Sequence, residues 1–280
     1  MNFRTFVRAK AKGAIRDGTL AIYDKDRQQL TGRLSSRPLT VETAQDLEAW
    51  IKSKFPKANT QQRKITSLNW LLRWKGVDYQ ARRPPKEPNL HPQTVSEDEY
   101  RDLVARIRDP MERLAVRISH DSGWSPNDVA AIRKTDIDLS GDAVIVRRLR
   151  QKTNVVAEAA LLAETAKELR AYLAANPDQE YVFPGDRRQG GPHRNRTWIN
   201  EVLKRHGATF SPRAFRSNLA TRWPGDDIKG LMVQGGWRDS RTIFQHYRGN
   251  LRERQVASLE QALDRPAKDR DPDDELPGYG

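Results

Sequence analysis

Apolar positions recur at helical spacing along most of the chain. Between Pro38 and Ile51, the residues Leu47, Trp50 and Ile51 fall at i, i+3, i+4 and predict an amphipathic helix. Ile65, Leu68 and Leu72 form a second stripe, with Arg63 and Lys64 off it. Ser96 and Glu99 form a capping box, opening a helix whose apolar face is Tyr100, Leu103, Val104 and Ile107. Thr165 and Glu168 read as another capping box, leading into Leu169, Tyr172 and Leu173. From Arg252 a last helix carries Val256, Leu259 and Leu263. The pattern changes between Gly141 and Leu161. Val144, Ile145 and Val146 form a β-branched run between the turns at Gly141-Asp142 and Lys152-Thr153, and residues 154–161 return as a paired strand. The expected fold class is mostly α with a small antiparallel β-sheet (α+β).

Breaks in this pattern divide the chain. Residues 1–83 predict a helical, basic domain. Residues 84–94 are a linker: four prolines between Pro84 and Pro92 exclude helix interior and favour an extended strap flanked by Arg82 and Arg83. Residues 95–262 hold the remaining helices and the hairpin. Residues 263–280 are acidic and Pro-containing and predict a disordered tail. Arg187 to Arg196, with Arg194 between, is a Gly-rich basic loop that suits either phosphate contact or solvent.

Charge narrows the partner class. Fifty Lys and Arg stand against 37 Asp and Glu, a formal charge of +13, and the tail holds six acidic and three basic residues, so the body is more basic still. Much of the excess is arginine, whose planar fork suits phosphate. No run of eighteen apolar residues predicts a membrane span, and Arg4, Arg8, Lys10, Lys12 and Arg16 interrupt any signal peptide. The chain has no cysteine, which excludes disulfides and cysteine-ligated zinc, and its five histidines lack ligand spacing. We expect a cytoplasmic, nucleoid-associated protein with no metal, no cofactor and a nucleic-acid partner.

The chemistry concentrates between Phe210 and Tyr247. Arg213-x-x-Arg216 is followed by Gly236-Trp237 and then by Tyr247. Singly these are a helix face, a turn and a packed aromatic; their joint order is specific. It resembles the active-site half of the tyrosine recombinases, or phage integrases, in which a His-x-x-Arg box, a Gly-His or Gly-Trp pair and a nucleophilic tyrosine follow in this order. Arg213 stands where that family usually has histidine. Upstream, Gly123, Asp128 and Asp136-Ile137-Asp138 match a Gly, an acidic residue and a helix closing in Asp-Ile-Asp. The family's first active-site arginine is missing: Ser125 stands in its place, and Ser125-Pro126-Asn127-Asp128 reads as a well-capped helix start. Arg117, Arg133, Arg147, Arg148, Arg150 and Arg213 are the cations that could replace it.

The resemblance implies a helical DNA-clamping domain at 1–83 and a catalytic domain at 95–262, acting on double-stranded DNA as a dimer to tetramer. It implies that Tyr247 attacks phosphorus, that Arg216, Arg213 and Trp237 hold the phosphate oxygens, that Lys152 protonates the leaving oxygen, and that Asp128 orients its neighbours. Arg63, Lys64, Arg82, Arg83, Arg148, Arg150, Arg194 and Arg196 are the expected DNA-binding cations. The implied activity is site-specific recombination through a 3′-phosphotyrosyl intermediate. The alternatives are the same fold binding DNA with cleavage weakened by Ser125, a type IB topoisomerase, and an RNA-binding protein; no stacking motif supports the last.

Overall fold

The computed structural model describes residues 1–85, 93–150, 155–186, 190–224 and 227–247. The chain forms two compact units, Met1–Pro88 and Asn89–Gly280, and their boundary falls within the proline-rich segment.

The first unit is a four-helix cluster of α1 (Phe3–Lys10), α2 (Asp17–Leu34), α3 (Val41–Lys54) and α4 (Ala58–Lys75). Thr40 caps α3 in a reciprocal box with Thr43, and Gly76 ends α4 in a left-handed conformation. Leu20, Leu30, Leu47, Ile51, Ile65, Leu68 and Leu72 form its core. A polar cluster lies inside. Asp26 of α2 is buried, and Lys64 reaches it at 2.7 Å, Ser67 at 2.9 Å and Arg63 through a short ion pair. Lys64 departs from the expectation of a DNA-facing cation off the apolar stripe: it is buried, with its ammonium held by Asp26 and Gln29. Periodicity assigned it to the polar face, but the facing helix supplies a carboxylate there.

Removing one partner of a buried pair leaves the other uncompensated and costs about 3–5 kcal/mol. Asp26→Ala should therefore speed native-state hydrogen exchange of α2 and α4 amides by more than about a hundredfold. Adding Lys64→Met to Asp26→Ala should recover most of the loss. Unchanged exchange in Asp26→Ala would mean the pair contributes nothing.

The second unit opens with α5 (Glu97–Arg106), capped by the expected box: the Ser96 hydroxyl accepts from the Glu99 amide and Glu99 accepts from the Ser96 amide. α6 (Pro110–Ser122) and the short α7 (Pro126–Ala130) follow, then the sheet of β1 (Ile137–Asp138), β2 (Ile145–Arg150) and β3 (Val155–Ala160). The sheet is antiparallel in the order β1-β2-β3, with Ile145 opposite Ala160 and Arg150 opposite Val155. α8 (Ala163–Ala175), α9 (Trp198–Arg205), α10 (Arg213–Arg222), α11 (Ile228–Gly235) and α12 (Ser240–His246) complete the described elements. Leu103, Ile107, Leu114, Ile118, Trp124, Phe183, Ile199 and Phe215 lie in the main core; Ala220, Leu231, Trp237 and Ile243 form a smaller one under α11 and α12. The mostly helical class with a small antiparallel sheet is thus the observed one.

Two local expectations are corrected. Helix α8 starts at Ala163, not at Thr165, which is buried in its first turn. The Leu162 amide is instead held by Asp121, and Glu164 and Glu168 pair with Arg117. Asp136-Ile137-Asp138 does not close a helix. A 3-10 turn ends at Asp136, and Ile137-Asp138 is the edge strand β1. Residues 132–134 are already drawn out against 180–182 by the bonds Val182 N–H to Ile132 O and Lys134 N–H to Glu180 O. The helix expected from Arg252 and the acidic tail lie outside the described residues.

Candidate active site

Five segments meet at one place: the α6–α7 junction, the end of β2, the start of α10, the end of α11 and the end of α12. Two glycines permit the approach. Gly123 caps α6 at φ 59°, where a Cβ would meet Leu219 Cδ2 at 2.9 Å and the Arg216 Cα at 3.3 Å. Gly236 turns the chain after α11 at φ 60°, and a Cβ there would meet Arg150 Cδ at 2.6 Å and Ala157 Cβ at 2.7 Å. The Trp237 amide then bonds back to Met232 O at 2.9 Å, closing the helix in a Schellman-type turn that folds the indole inward.

Arg216 is the centre of the arrangement. It is buried, and its Nη1 donates to Gly123 O at 2.9 Å and to Gly235 O at 2.7 Å. Its guanidinium carbon lies 3.7 Å from the centre of the Trp237 ring and 5.1 Å from that of Tyr247. Burial, and then the charge of Arg150, push the Arg216 pKa down to about 10, with Tyr247 and Asp128 opposing. It remains a cation at neutral pH. Arg213, one turn earlier and exposed, places its guanidinium 5.1 Å from the Tyr247 ring centre.

Tyr247 follows the last residue of α12, and its amide bonds to Ile243 O at 3.0 Å. The Asp239 side chain caps the start of that helix. The phenol ring is half-buried and stands edge-on to Trp237, with centroids 5.6 Å apart. Trp237 is buried, and its Nε1–H finds no acceptor among the described residues. An indole N–H is a donor only.

Ser125 caps α7. Its hydroxyl accepts weakly from the Asp128 amide at 3.4 Å and donates to Asp128 Oδ2 at 2.7 Å. Asp128 also receives Arg150, whose Nε and Nη2 lie 3.0 and 2.8 Å from the same Oδ2. Arg150 Nη1 continues to Gly235 O at 3.1 Å and Gly236 O at 2.7 Å. Arg150 was expected on a DNA-facing surface; instead it is buried in the site.

The structure sorts the other candidates. Arg148 donates to Ala131 O and Asp136. Arg194 pairs with Asp186 and lies over Trp198. Arg82, Arg83 and Arg196 are exposed. Lys152, Arg187 and Arg188 lie outside the described residues. Sequence reasoning missed Trp124 and Gln234. Trp124 Nε1 donates to Gln234 O at 2.8 Å. The Gln234 side chain bridges α6 and β3, donating to Asp121 O and Ala160 O and accepting from the Ala160 amide. A glutamine directly before Gly235-Gly236 gave no signal of burial. Among the described residues no group of three or more His, Cys, Asp or Glu side chains converges as metal ligands, and no described helix is long and apolar enough to cross a membrane.

Chemically, two buried guanidinium groups, Arg150 and Arg216, meet at the carbonyl of Gly235, Arg150 is paired with Asp128, an exposed third, Arg213, lies beside the tyrosine ring, and the Trp237 indole donor has no acceptor among the described residues. Such a group of donors suits an anion.

Comparisons with known proteins agree with this geometry. The family model "Phage integrase family" matches residues 93–254, more than half of the chain. The tyrosine recombinase XerA of Thermococcus kodakarensis is 28% identical over 179 residues, 60% of this chain and 62% of that protein, so the chain spans less than two thirds of that relative. Among solved structures, the Tn1549 transposon integrase in complex with transposon right-end DNA superposes with a TM-score of 0.65 at 15% identity, covering 94% of this chain and 100% of that one. A lambda integrase dimer bound to a COC′ core site gives 0.64 at 15% identity, covering 88% and 93%. At such identities these likenesses show the fold.

Proposed function

The chain belongs to the phage integrase family, and on that premise we propose that it is a site-specific recombinase that breaks and rejoins double-stranded DNA through a 3′-phosphotyrosyl intermediate. The observation that carries this reading is the half-buried Tyr247 side chain, with the guanidinium groups of buried Arg216 and exposed Arg213 each 5.1 Å from its ring centre and beside it a Trp237 donor that has no acceptor among the described residues.

The Tyr247 oxygen forms a bond to phosphorus, and the bond from phosphorus to the 5′ oxygen breaks. The leaving oxygen takes up a proton, for which the resemblance nominates Lys152; the phenol proton is lost to solvent or to a neighbouring group. Negative charge on the non-bridging oxygens is met by Arg216, Arg213 and Trp237 Nε1. Because the phosphate stays covalently bound, a new 5′ hydroxyl can reverse the step and join a different strand. Rejoining to a different end requires more than one active site, which fits a dimer to tetramer on DNA. The DNA-bound Tn1549 integrase and lambda integrase dimer share this fold and support that partner. The place of action is the cytoplasmic nucleoid. Arg82, Arg83 and Arg196 are the exposed cations we assign to the DNA backbone.

The test uses a nicked duplex carrying a site selected from random duplexes by binding to the protein. A protein–DNA band that survives a denaturing gel is the expected result. Tight, site-selective binding without any such band would establish the alternative, a binding protein of the same fold.

Affinity should fall steeply with salt, since each neutralised phosphate releases roughly 0.9 of a condensed counterion. Deleting residues 1–83 should flatten the slope of log affinity against log salt. An unchanged slope would show that the first unit makes no phosphate contacts.

A further inference from the structure

The family position for the first active-site arginine holds Ser125, a neutral residue with its hydroxyl committed to Asp128. Six arginines were candidates for the missing charge; four are held elsewhere, and a fifth, Arg213, stands at the tyrosine in the place of the family's histidine. Arg117 is held by Glu164 and Glu168 of α8. Arg133 pairs with Tyr181 and Glu180. Arg147 is spread between Asp138 and Glu158 across the sheet, Arg148 lies against Ala131 O and Asp136, and Arg213 lies over the outer side of the tyrosine. Arg150 alone of the six enters the polar cluster beneath Arg216, and it does so next to Ser125.

We propose that Arg150, delivered from the end of β2, supplies the positive charge that the chain lacks at position 125, and so completes the phosphate-binding site as a positioning residue. The inference rests on the reading that this site receives a DNA phosphate. Its grounds are geometric. Arg150 and Arg216 donate to the same oxygen, that of Gly235. Arg150 and the Ser125 hydroxyl meet at the same Asp128 Oδ2, so the guanidinium and the cap are neighbours through one atom. Both guanidinium groups are buried, and the Asp128 carboxylate pairs with Arg150. One anion for two buried cations leaves an excess positive charge in a low-dielectric place, which is costly until a second anion arrives.

The side chain also acts on the machinery it touches. It holds the carbonyls of Gly235 and Gly236, the two residues before Trp237, and thereby the turn that places the indole donor. A serine at 125 makes room for this arrangement. An arginine at 125 would bring a second guanidinium to the Asp128 carboxylate.

The experiment compares wild type, Arg150→Met, Ser125→Arg and the double variant Ser125→Arg/Arg150→Met, with folding checked by circular dichroism. The first readout is the rise in melting temperature on replacing chloride by inorganic phosphate at equal ionic strength. Wild type should show a rise, Arg150→Met should lose most of it, and the double variant should regain it, since the charge is restored from the original side. The second is the single-turnover rate of adduct formation on the selected nicked duplex. Arg150→Met should be slower by about 10²–10³-fold, the usual loss for one preorganised donor, Ser125→Arg alone should be slower than wild type, and the double variant should be faster than Arg150→Met. A purely structural role for Arg150 predicts no rescue, because Ser125→Arg does not rebuild the bonds to Gly235 and Gly236.

The proposal is overturned if Arg150→Met keeps the full phosphate response, if Ser125→Arg speeds the wild type, or if the folded double variant gains on Arg150→Met in neither readout. A wild type that forms no adduct on its selected site refutes the cleavage reading instead. The phosphate melts still decide the assignment of Arg150 in that case.

Discussion

Replacing Tyr247 by phenylalanine is expected to reduce covalent attachment to DNA below detection while leaving affinity within about twofold of wild type. The ring is held by contacts that do not need the hydroxyl: Trp237 edge-on at 5.6 Å and the guanidinium groups of Arg213 and Arg216, each 5.1 Å from its centre. The substitution thus deletes the proposed nucleophile and no positive charge, and charge is what dominates affinity for the DNA backbone. The measurement pairs a denaturing gel for adducts with a binding titration at fixed salt. Adducts that persist in Tyr247→Phe would transfer the nucleophile elsewhere, and His246 would be the first residue to test.

Arg216→Met is expected to cost both activity and stability. Its guanidinium answers two buried carbonyls, those of Gly123 and Gly235, and methionine leaves both without that donor. An unsatisfied buried polar group costs about 1–3 kcal/mol, so the second unit should melt several degrees lower. The rate of adduct formation should fall further than this accounts for, by at least about 10²–10³, because the same group faces the nucleophile and the developing charge. Arg216→Lys separates the two effects. It keeps the charge but loses the fork, and one ammonium cannot reproduce the spread of donors that spans two carbonyls. A folded Arg216→Met that forms adducts at the wild-type rate would remove Arg216 from the catalytic group.

Helices and caps were legible because their information is local. The i, i+3, i+4 stripes at Leu47 and Ile65, the Ser96–Glu99 box and the Ser125 cap each depend on residues a turn or less apart, and each is observed. The chemical group was legible for a different reason. Arg213, Arg216, Trp237 and Tyr247 lie on consecutive short helices and turns, in an order with few other uses. Partners across the fold left no such trace. Lys64 has the spacing of a polar-face residue, yet it is buried because Asp26 comes from another helix 38 positions away. Thr165 has the letters of a cap, but Asp121 holds the preceding amide and the helix begins earlier. Arg150 is one of several arginines in a row on a strand. Alternation along the strand separates it from Arg147 but leaves it on the same face as Arg148, and no sequence rule places it against Asp128, 22 positions earlier, and Gly236, 86 positions later. Composition and order therefore announce the group of Arg213, Arg216, Trp237 and Tyr247, while which further cations join it is settled by packing, since a buried charge can stay only where the rest of the chain brings it an acceptor.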